Sequence, residues 1–109
     1  MRTVMVRYKT LENQTEENAR LVRAVYDELA LRAPAGFRYV TFRLADGVSY
    51  VHLAAMDSGE SPLGSVPAFQ AFQENIRARC VEPPALSEVT VVGAYGVSDF
   101  GPRAREQGT

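Results

Sequence analysis

Residues Thr3 to Lys9, TVMVRYK, alternate: Val4, Val6 and Tyr8 fall on one face, and Met5, Arg7 and Lys9 on the other. A period of two marks a half-buried strand. The next segment, LENQTEENARLVRAVYDELALRAPAG, changes period. Ala19, Val22, Tyr26, Leu29 and Ala33 recur at helical spacing, and Val25 and Ala30 widen the stripe. Asn13 or Thr15 can cap this helix, and Glu16 and Glu17 suit its positive end. Glu16 with Arg20 and Glu28 with Arg32 form i,i+4 pairs on the wet side. Pro34 and Gly36 end the element.

FRYVTFRLADGVSYVHLAAM returns to a period of two around an Asp46-Gly47 turn, the pattern of a β-hairpin. With Ala45 opposite Val48, Phe42 faces Val51 and Val40 faces Leu53. On the other side Arg43 faces Tyr50, Thr41 faces His52 and Tyr39 faces Ala54. One face is apolar and the other polar and aromatic, and a slip of one residue would mix the two sets. The apolar set is expected to pack on the helices. That places His52, the lone histidine, on the opposite face.

DSGESPLGSV, Asp57 to Val66, is a small polar loop in which Asp57 and Glu60 are ordinary solvated residues. Pro67 opens a second helix, PAFQAFQENIRARCV, with Phe69, Phe72 and Ile76 as its stripe, and Pro83-Pro84 stops it. LSEVTVVGAYG supplies a last strand, apolar on both faces at Val89, Val91, Val92 and Ala94. The order β-α-β-β-α-β predicts an α+β, ferredoxin-like fold, a four-stranded antiparallel sheet with two helices on one face. Residues 1–96 make the single domain, and 97–109 form a C-terminal arm that can clasp a partner. The face without helices is expected to carry Met5, Arg7, Tyr39, Thr41, Arg43, Tyr50, His52 and Val92. An exposed face this aromatic marks an interface, so a second copy packed sheet to sheet, a homodimer, is expected.

Composition narrows the function classes. The 109 residues carry 12 basic and 13 acidic side chains, net −1, without the basic patch that nucleic acid requires. No apolar run reaches the length of a membrane span, and the N-terminus alternates where a secretory leader would be continuously apolar, so a cytoplasmic protein is expected. The single cysteine, Cys80, excludes an internal disulfide. Near a helix C-terminus the dipole opposes its thiolate, and a small buried hydrophobe is expected. One His and one Cys do not make a zinc or iron site of the usual type, and neither a phosphate loop nor a serine elbow is present. No metal and no cofactor are expected.

The element order, the hairpin, the PAFQAFQ helix closed by Pro-Pro and the valine-rich final strand resemble the dimeric α+β-barrel superfamily. Within it, the chain most resembles the antibiotic-biosynthesis-monooxygenase-like proteins, over roughly Thr3 to Gly96. The resemblance implies two half-barrels paired as a dimer, and a cavity against each sheet. It also implies cofactor-independent oxygenation of an aromatic or quinol-type substrate, haem degradation, or no reaction at all. Both characterised branches rely on a tryptophan, which this chain lacks, and the haem degraders ligate iron through a helix-borne histidine. His52 is on a strand, which speaks against haem degradation.

An oxygenase of that kind requires a base, a cation to hold the resulting anion, and apolar walls. His52 suits the base, Arg7 or Arg43 the cation, and Tyr39, Thr41 and Tyr50 the binding of the small aromatic ligand. The 57–66 loop can form the mouth or a lid. Alternatively, His52 and Thr41 are a cross-strand pair at a dimer interface, with Arg43 stacked on Tyr50. Three classes stay open: a small-molecule enzyme, a non-catalytic ligand-binding dimer, and an accessory dimer without a cavity.

Overall fold

The computed structural model describes residues 1–97. β1 (Arg2–Thr10) leads through a 3-10 turn into α1 (Thr15–Arg32), and β2 (Phe37–Arg43) and β3 (Ser49–Met56) form the hairpin. A 3-10 turn (Pro62–Ser65), α2 (Pro67–Gln73), the single-turn α3 (Ile76–Arg79) and β4 (Cys80–Glu88) complete it. The strands lie in the order β2-β3-β1-β4, every neighbouring pair antiparallel, with the helices against one face. This is the ferredoxin-like α+β arrangement. Among the described residues no helix is long and apolar enough to cross a membrane.

The hairpin register is the expected one: Arg43 opposes Tyr50, Thr41 opposes His52 and Tyr39 opposes Ala54. The turn is closed by the Gly47 N–H on the Leu44 carbonyl at 2.9 Å, with Gly47 at φ 80°. The Asp46 carboxylate accepts from the Val48 and Ser49 N–H groups and the Ser49 hydroxyl, which lowers its pKa to about 2.

The expected assignment of the two hairpin faces is reversed. β1 pairs with β3 so that Val6 opposes His52, Tyr8 opposes Tyr50 and Val4 opposes Ala54. Tyr39, Thr41, Tyr50 and His52 therefore share the face of Val4, Val6 and Tyr8, the face that the helices cover. His52 is 5% exposed and Tyr50 2%. The physical reason lies in α1, whose inward side carries Thr15, Asn18 and Tyr26, hydrogen-bonding groups that meet the polar set of the hairpin. The apolar set, Val40, Phe42, Val51 and Leu53, points away from the helices together with Met5 and Arg7, and Phe42 is half exposed.

α1 buries Ala19, Val22, Val25 and Leu29 as its stripe predicts, and also Asn18, which is fully buried. Thr15 is its first residue and caps nothing: its hydroxyl donates to the Gly47 carbonyl and meets the Tyr50 hydroxyl. Glu28 holds Arg32 as expected, but Arg20 pairs with Glu17 at i,i+3, and Glu16 reaches Arg43 instead. Ala33, left-handed at φ 45°, ends the helix with its N–H on the Leu29 carbonyl.

The second helical region is shorter than its periodicity suggests. α2 ends at Gln73, Asn75 takes a left-handed conformation at φ 62°, and after α3 the chain turns directly into β4 at Cys80. β4 thus runs through Pro83-Pro84, where a helix stop was expected, and lies upstream of the expected strand over residues 86–96. An edge strand tolerates proline, since its outward N–H groups have no ladder partner, and the pairing with β1 shifts register at this point. Past Glu88 only the Val89 N–H, on the Thr3 carbonyl, prolongs the ladder, and residues 90–97 form no strand. Val92 is 99% exposed rather than part of a sheet face. Cys80 opens β4 as a half-buried residue packed on the core, and burial raises its thiol pKa. The expected C-terminal arm, apart from Val97, lies outside the described residues.

Candidate functional site

The helix face of the sheet is filled by aromatic rings. Tyr8 stacks on Tyr50 with centroids 5.2 Å apart, Tyr39 stacks between Tyr26 and Phe37, and the His52 ring is tilted against Tyr8, Tyr39 and Phe72. α1 covers the β2–β3 side of this layer. α2 and the 57–66 loop stand over β1 and β4, and the short α2 leaves space beneath it. That space is a cavity of about 390 Å³. Its walls are mainly apolar, from Val4, Val6, Leu63, Phe69, Phe72 and Ile76, while Tyr8, Tyr39 and His52 supply the polar groups of its floor. Ser61, Leu63 and Gly64 bring the 57–66 loop into its wall, and Arg2 and Gln73 also line it. An apolar recess of this size with a few convergent polar groups suits a small aromatic molecule.

A continuous chain of hydrogen bonds runs under the floor. Arg79 Nε donates to Asn18 Oδ1 at 3.2 Å, and Asn18 Nδ2 donates to Tyr8 Oη at 2.8 Å. Tyr8 Oη lies 2.9 Å from His52 Nε2. On the other side of the ring, Nδ1 is 2.7 Å from Tyr39 Oη and 3.2 Å from Thr41 Oγ1, which meets the Tyr26 hydroxyl at 2.7 Å. Both imidazole nitrogens are therefore held by protein hydroxyls. A guest in the cavity meets the Tyr8 and Tyr39 hydroxyls at this floor, and reaches the imidazole only through them.

Burial governs the titration of these groups. It pushes the His52 pKa down to about 4, so the ring is neutral at neutral pH. Burial also raises the Tyr8 and Tyr39 phenols well above their ordinary value, since a phenolate here would lose its solvation. Hydrogen bonds from Asn18 to Tyr8 and from Thr41 to Tyr39 oppose that shift without cancelling it. Tyr26, partly buried, is raised for the same reason. Arg79 is 5% exposed, and its other donors reach the carbonyls of Glu74 and Phe72, the last turn of α2.

Of the residues singled out from the sequence, His52 and Tyr39 line the cavity and Thr41 bonds the imidazole from beside it. Tyr50 is in the core, bonded to Thr15 and not in the cavity wall. The two arginines stand elsewhere. Arg7 is exposed on the opposite sheet face. Arg43, at the end of β2, donates to Glu16 and to the Gly47 carbonyl, with its guanidinium 5.9 Å above the Tyr50 ring. The expected Arg43–Tyr50 and Thr41–His52 pairings are thus both present, under the helices rather than at a free sheet face. Tyr8, Asn18, Phe72 and Arg79 were not singled out as site residues. Asn18 had a legible signal, since it continues the buried series 18, 22, 25, 29 as an amide among apolar side chains. Among the described residues no three His, Cys, Asp or Glu side chains gather as metal ligands.

Solved structures share this architecture. Rv0793 from Mycobacterium tuberculosis superposes with a TM-score of 0.65 over 87% of this chain and 98% of its own, at 17% identity. A variant of SnoaB, a cofactor-independent oxygenase from Streptomyces nogalater, gives 0.63 over 87% and 96%, at 18% identity. A protein named antibiotic biosynthesis monooxygenase gives 0.68 over 85% and 100%, at 12% identity. The chain has their fold. No protein-family model matches the sequence, nor does any curated protein. At these identities the likeness establishes the architecture alone.

Proposed function

We propose that this chain is a small-molecule enzyme, a cofactor-independent monooxygenase acting on a hydroxylated aromatic or quinol-type substrate in the cavity under α2. The observation that carries the reading is the junction of an apolar cavity with a buried His52 whose two nitrogens are coupled to cavity-lining phenols. Likeness of fold to proteins named as oxygenases supports it.

The chemistry is balanced by dioxygen alone. A ring methylene activated by neighbouring phenols loses four electrons on becoming a carbonyl, and one dioxygen takes up four: R2CH2 + O2 gives R2C=O + H2O. The residues would ease the first step, formation of the electron-rich anion. Tyr8 or Tyr39 takes the substrate proton on its hydroxyl oxygen while passing its own to His52. Burial makes an isolated imidazolium costly, so the ring gains its proton only as the substrate anion forms beside it. The apolar walls keep water from that ion pair and admit dioxygen. The 57–66 loop, already in the wall, serves as the mouth.

We further propose that a second copy covers the outer sheet face, where Met5, Val40, Phe42, Val51 and Leu53 form an apolar surface. Arg7, on the same face, would then meet the partner subunit.

One observation favours a second reading, a non-catalytic ligand-binding dimer. Both nitrogens of His52 already have partners and its pKa is low, which is also how a structural histidine is held. Oxygen uptake with hydroxylated anthrones and hydroquinones, beside calorimetric binding of the same compounds, separates the two. Uptake matched one-to-one by product, and lost in Tyr39→Phe and His52→Gln while both still bind, supports the enzyme. Binding without uptake supports the second reading, and a panel that neither binds nor reacts removes both.

A further inference from the structure

Arg79 is a buried guanidinium with an unusual set of partners. Its three hydrogen bonds go to the Asn18 side-chain oxygen and to the carbonyls of Glu74 and Phe72, and its charged end lies 5.4 Å from the Phe72 ring centre. Among the described residues no carboxylate forms an ion pair with it. An arginine can only donate, whereas hydroxyls, amides and imidazoles can either donate or accept. It is thus a one-way end in a chain otherwise built of reversible groups.

We infer that the buried Arg79–Asn18 pair sets the direction of every hydrogen bond through Tyr8 to His52, and thereby fixes His52 in its Nδ1–H tautomer. Arg79 presents its N–H to the Asn18 oxygen, which turns the Asn18 amide nitrogen toward Tyr8. Tyr8 Oη then accepts from Asn18. Its own hydrogen has one acceptor within reach, His52 Nε2 at 2.9 Å. Were Nε2 to carry the proton instead, Tyr8 would accept twice and its hydrogen would be left without a protein acceptor in a nearly closed site. Nε2 is therefore the bare nitrogen, and Nδ1–H donates to Tyr39 Oη. At that end Tyr39, Thr41 and Tyr26 are all hydroxyls, able to run either way, and impose no preference. Arg79 and Asn18 are positioning residues in this scheme.

The consequence deepens the proposed function and, as to roles, rests on it. Tyr8 becomes the phenol that hands a proton to His52, and Tyr39, having accepted from Nδ1–H, turns its own hydrogen outward as a donor to a guest oxygen. The tautomer itself holds whether or not the protein is an enzyme.

The chain's lone imidazole makes the test direct. In uniformly 15N-labelled protein at neutral pH, long-range proton–nitrogen correlations tell the protonated nitrogen from the bare one. The expected result is a bare Nε2 and a protonated Nδ1, the minor form of free imidazole. In Asn18→Asp the new carboxylate accepts from Tyr8, the chain reverses, and the two nitrogens exchange identities. Arg79→Lys keeps a donor and should keep the Nδ1–H form, while Arg79→Met should lose it. A protonated Nε2 in the unsubstituted protein overturns the inference, and this readout stands even if every variant fails to fold. So does an unchanged tautomer in both Asn18→Asp and Arg79→Met. Loss of oxygenase activity without a change of tautomer would count against the proposed reaction only.

Discussion

Replacing His52 isolates the energetic cost of keeping an imidazole out of water. The ring has a pKa near 4 in the folded protein, against about 6.5 in the unfolded chain, because burial disfavours the charged form. Between those values the unfolded chain binds more protons than the folded one, so stability must fall as pH falls. Above pH 6.5 both states are neutral and nothing is lost. Below it the loss grows by up to about 1.4 kcal/mol per pH unit, and it levels off once the folded protein also protonates. From pH 6.5 to 4.5 it amounts to roughly 2.5 kcal/mol, a large share of the ~5–15 kcal/mol that holds a small domain together. Glu17, Glu28 and Asp46 have pKa values lowered by their partners, Arg20, the Ala68 N–H and the Ser49 hydroxyl. Their contributions begin to be lost only near the ordinary carboxylate pKa and below it, which leaves the upper window to the imidazole. Urea denaturation at half-unit steps reads the effect as a midpoint falling by roughly 1–2 M across that window. His52→Gln should begin about 1–3 kcal/mol less stable at pH 7, since the Tyr8 and Tyr39 hydroxyls lose a partner, and should then stay nearly flat. Parallel curves for the two proteins, or a flat curve for the unsubstituted one, would refute a buried neutral His52.

Phe42→Glu, placed on the half-exposed outer face, should change monomer stability little and convert a sedimenting dimer to monomer. An unchanged mass would remove this face as the contact between copies. At Asn75 the left-handed backbone lets α2 break without help from the side chain, which makes no cap bond. Asn75→Gly should leave the thermal midpoint unchanged or raised, and Asn75→Ala should cost about 1 kcal/mol. An alanine variant as stable as the parent would show that the break imposes no backbone preference.

The order of elements was legible because each change of hydrophobic period coincides with a change of element. The hairpin register was legible for a stronger reason. A two-sided pattern around Asp46-Gly47 admits only one pairing that keeps Val40 with Leu53 and Thr41 with His52. What such a pattern cannot show is which side faces the helices. Apolar-inward is the ordinary rule, and here it selects the wrong side, because Thr15, Asn18 and Tyr26 offer the polar set partners that solvent would otherwise supply. The end of α2 was hidden in a similar way. Phe69, Phe72 and Ile76 continue a helical period straight across Asn75, while the left-handed turn there is a backbone event with no periodicity of its own. Pro83-Pro84 then reads as a stop only if the strand is taken to be internal, and β4 is an edge.

That shortened helix connects fold and site. Had α2 continued to Val81 as its stripe suggests, its later turns would extend over β1 and β4, where the cavity now lies. Breaking it at Asn75 frees the carbonyls of Phe72 and Glu74, which in a closed core would be a serious cost. Arg79, one turn further on, donates to both and reaches Asn18 with its third bond. The same side chain therefore stabilises the break that leaves room beneath α2 and carries a fixed hydrogen-bond direction to the floor of the cavity. A polar residue in an interior is costly unless every donor is used, and here the use of each donor links the end of α2 to the proton position on His52.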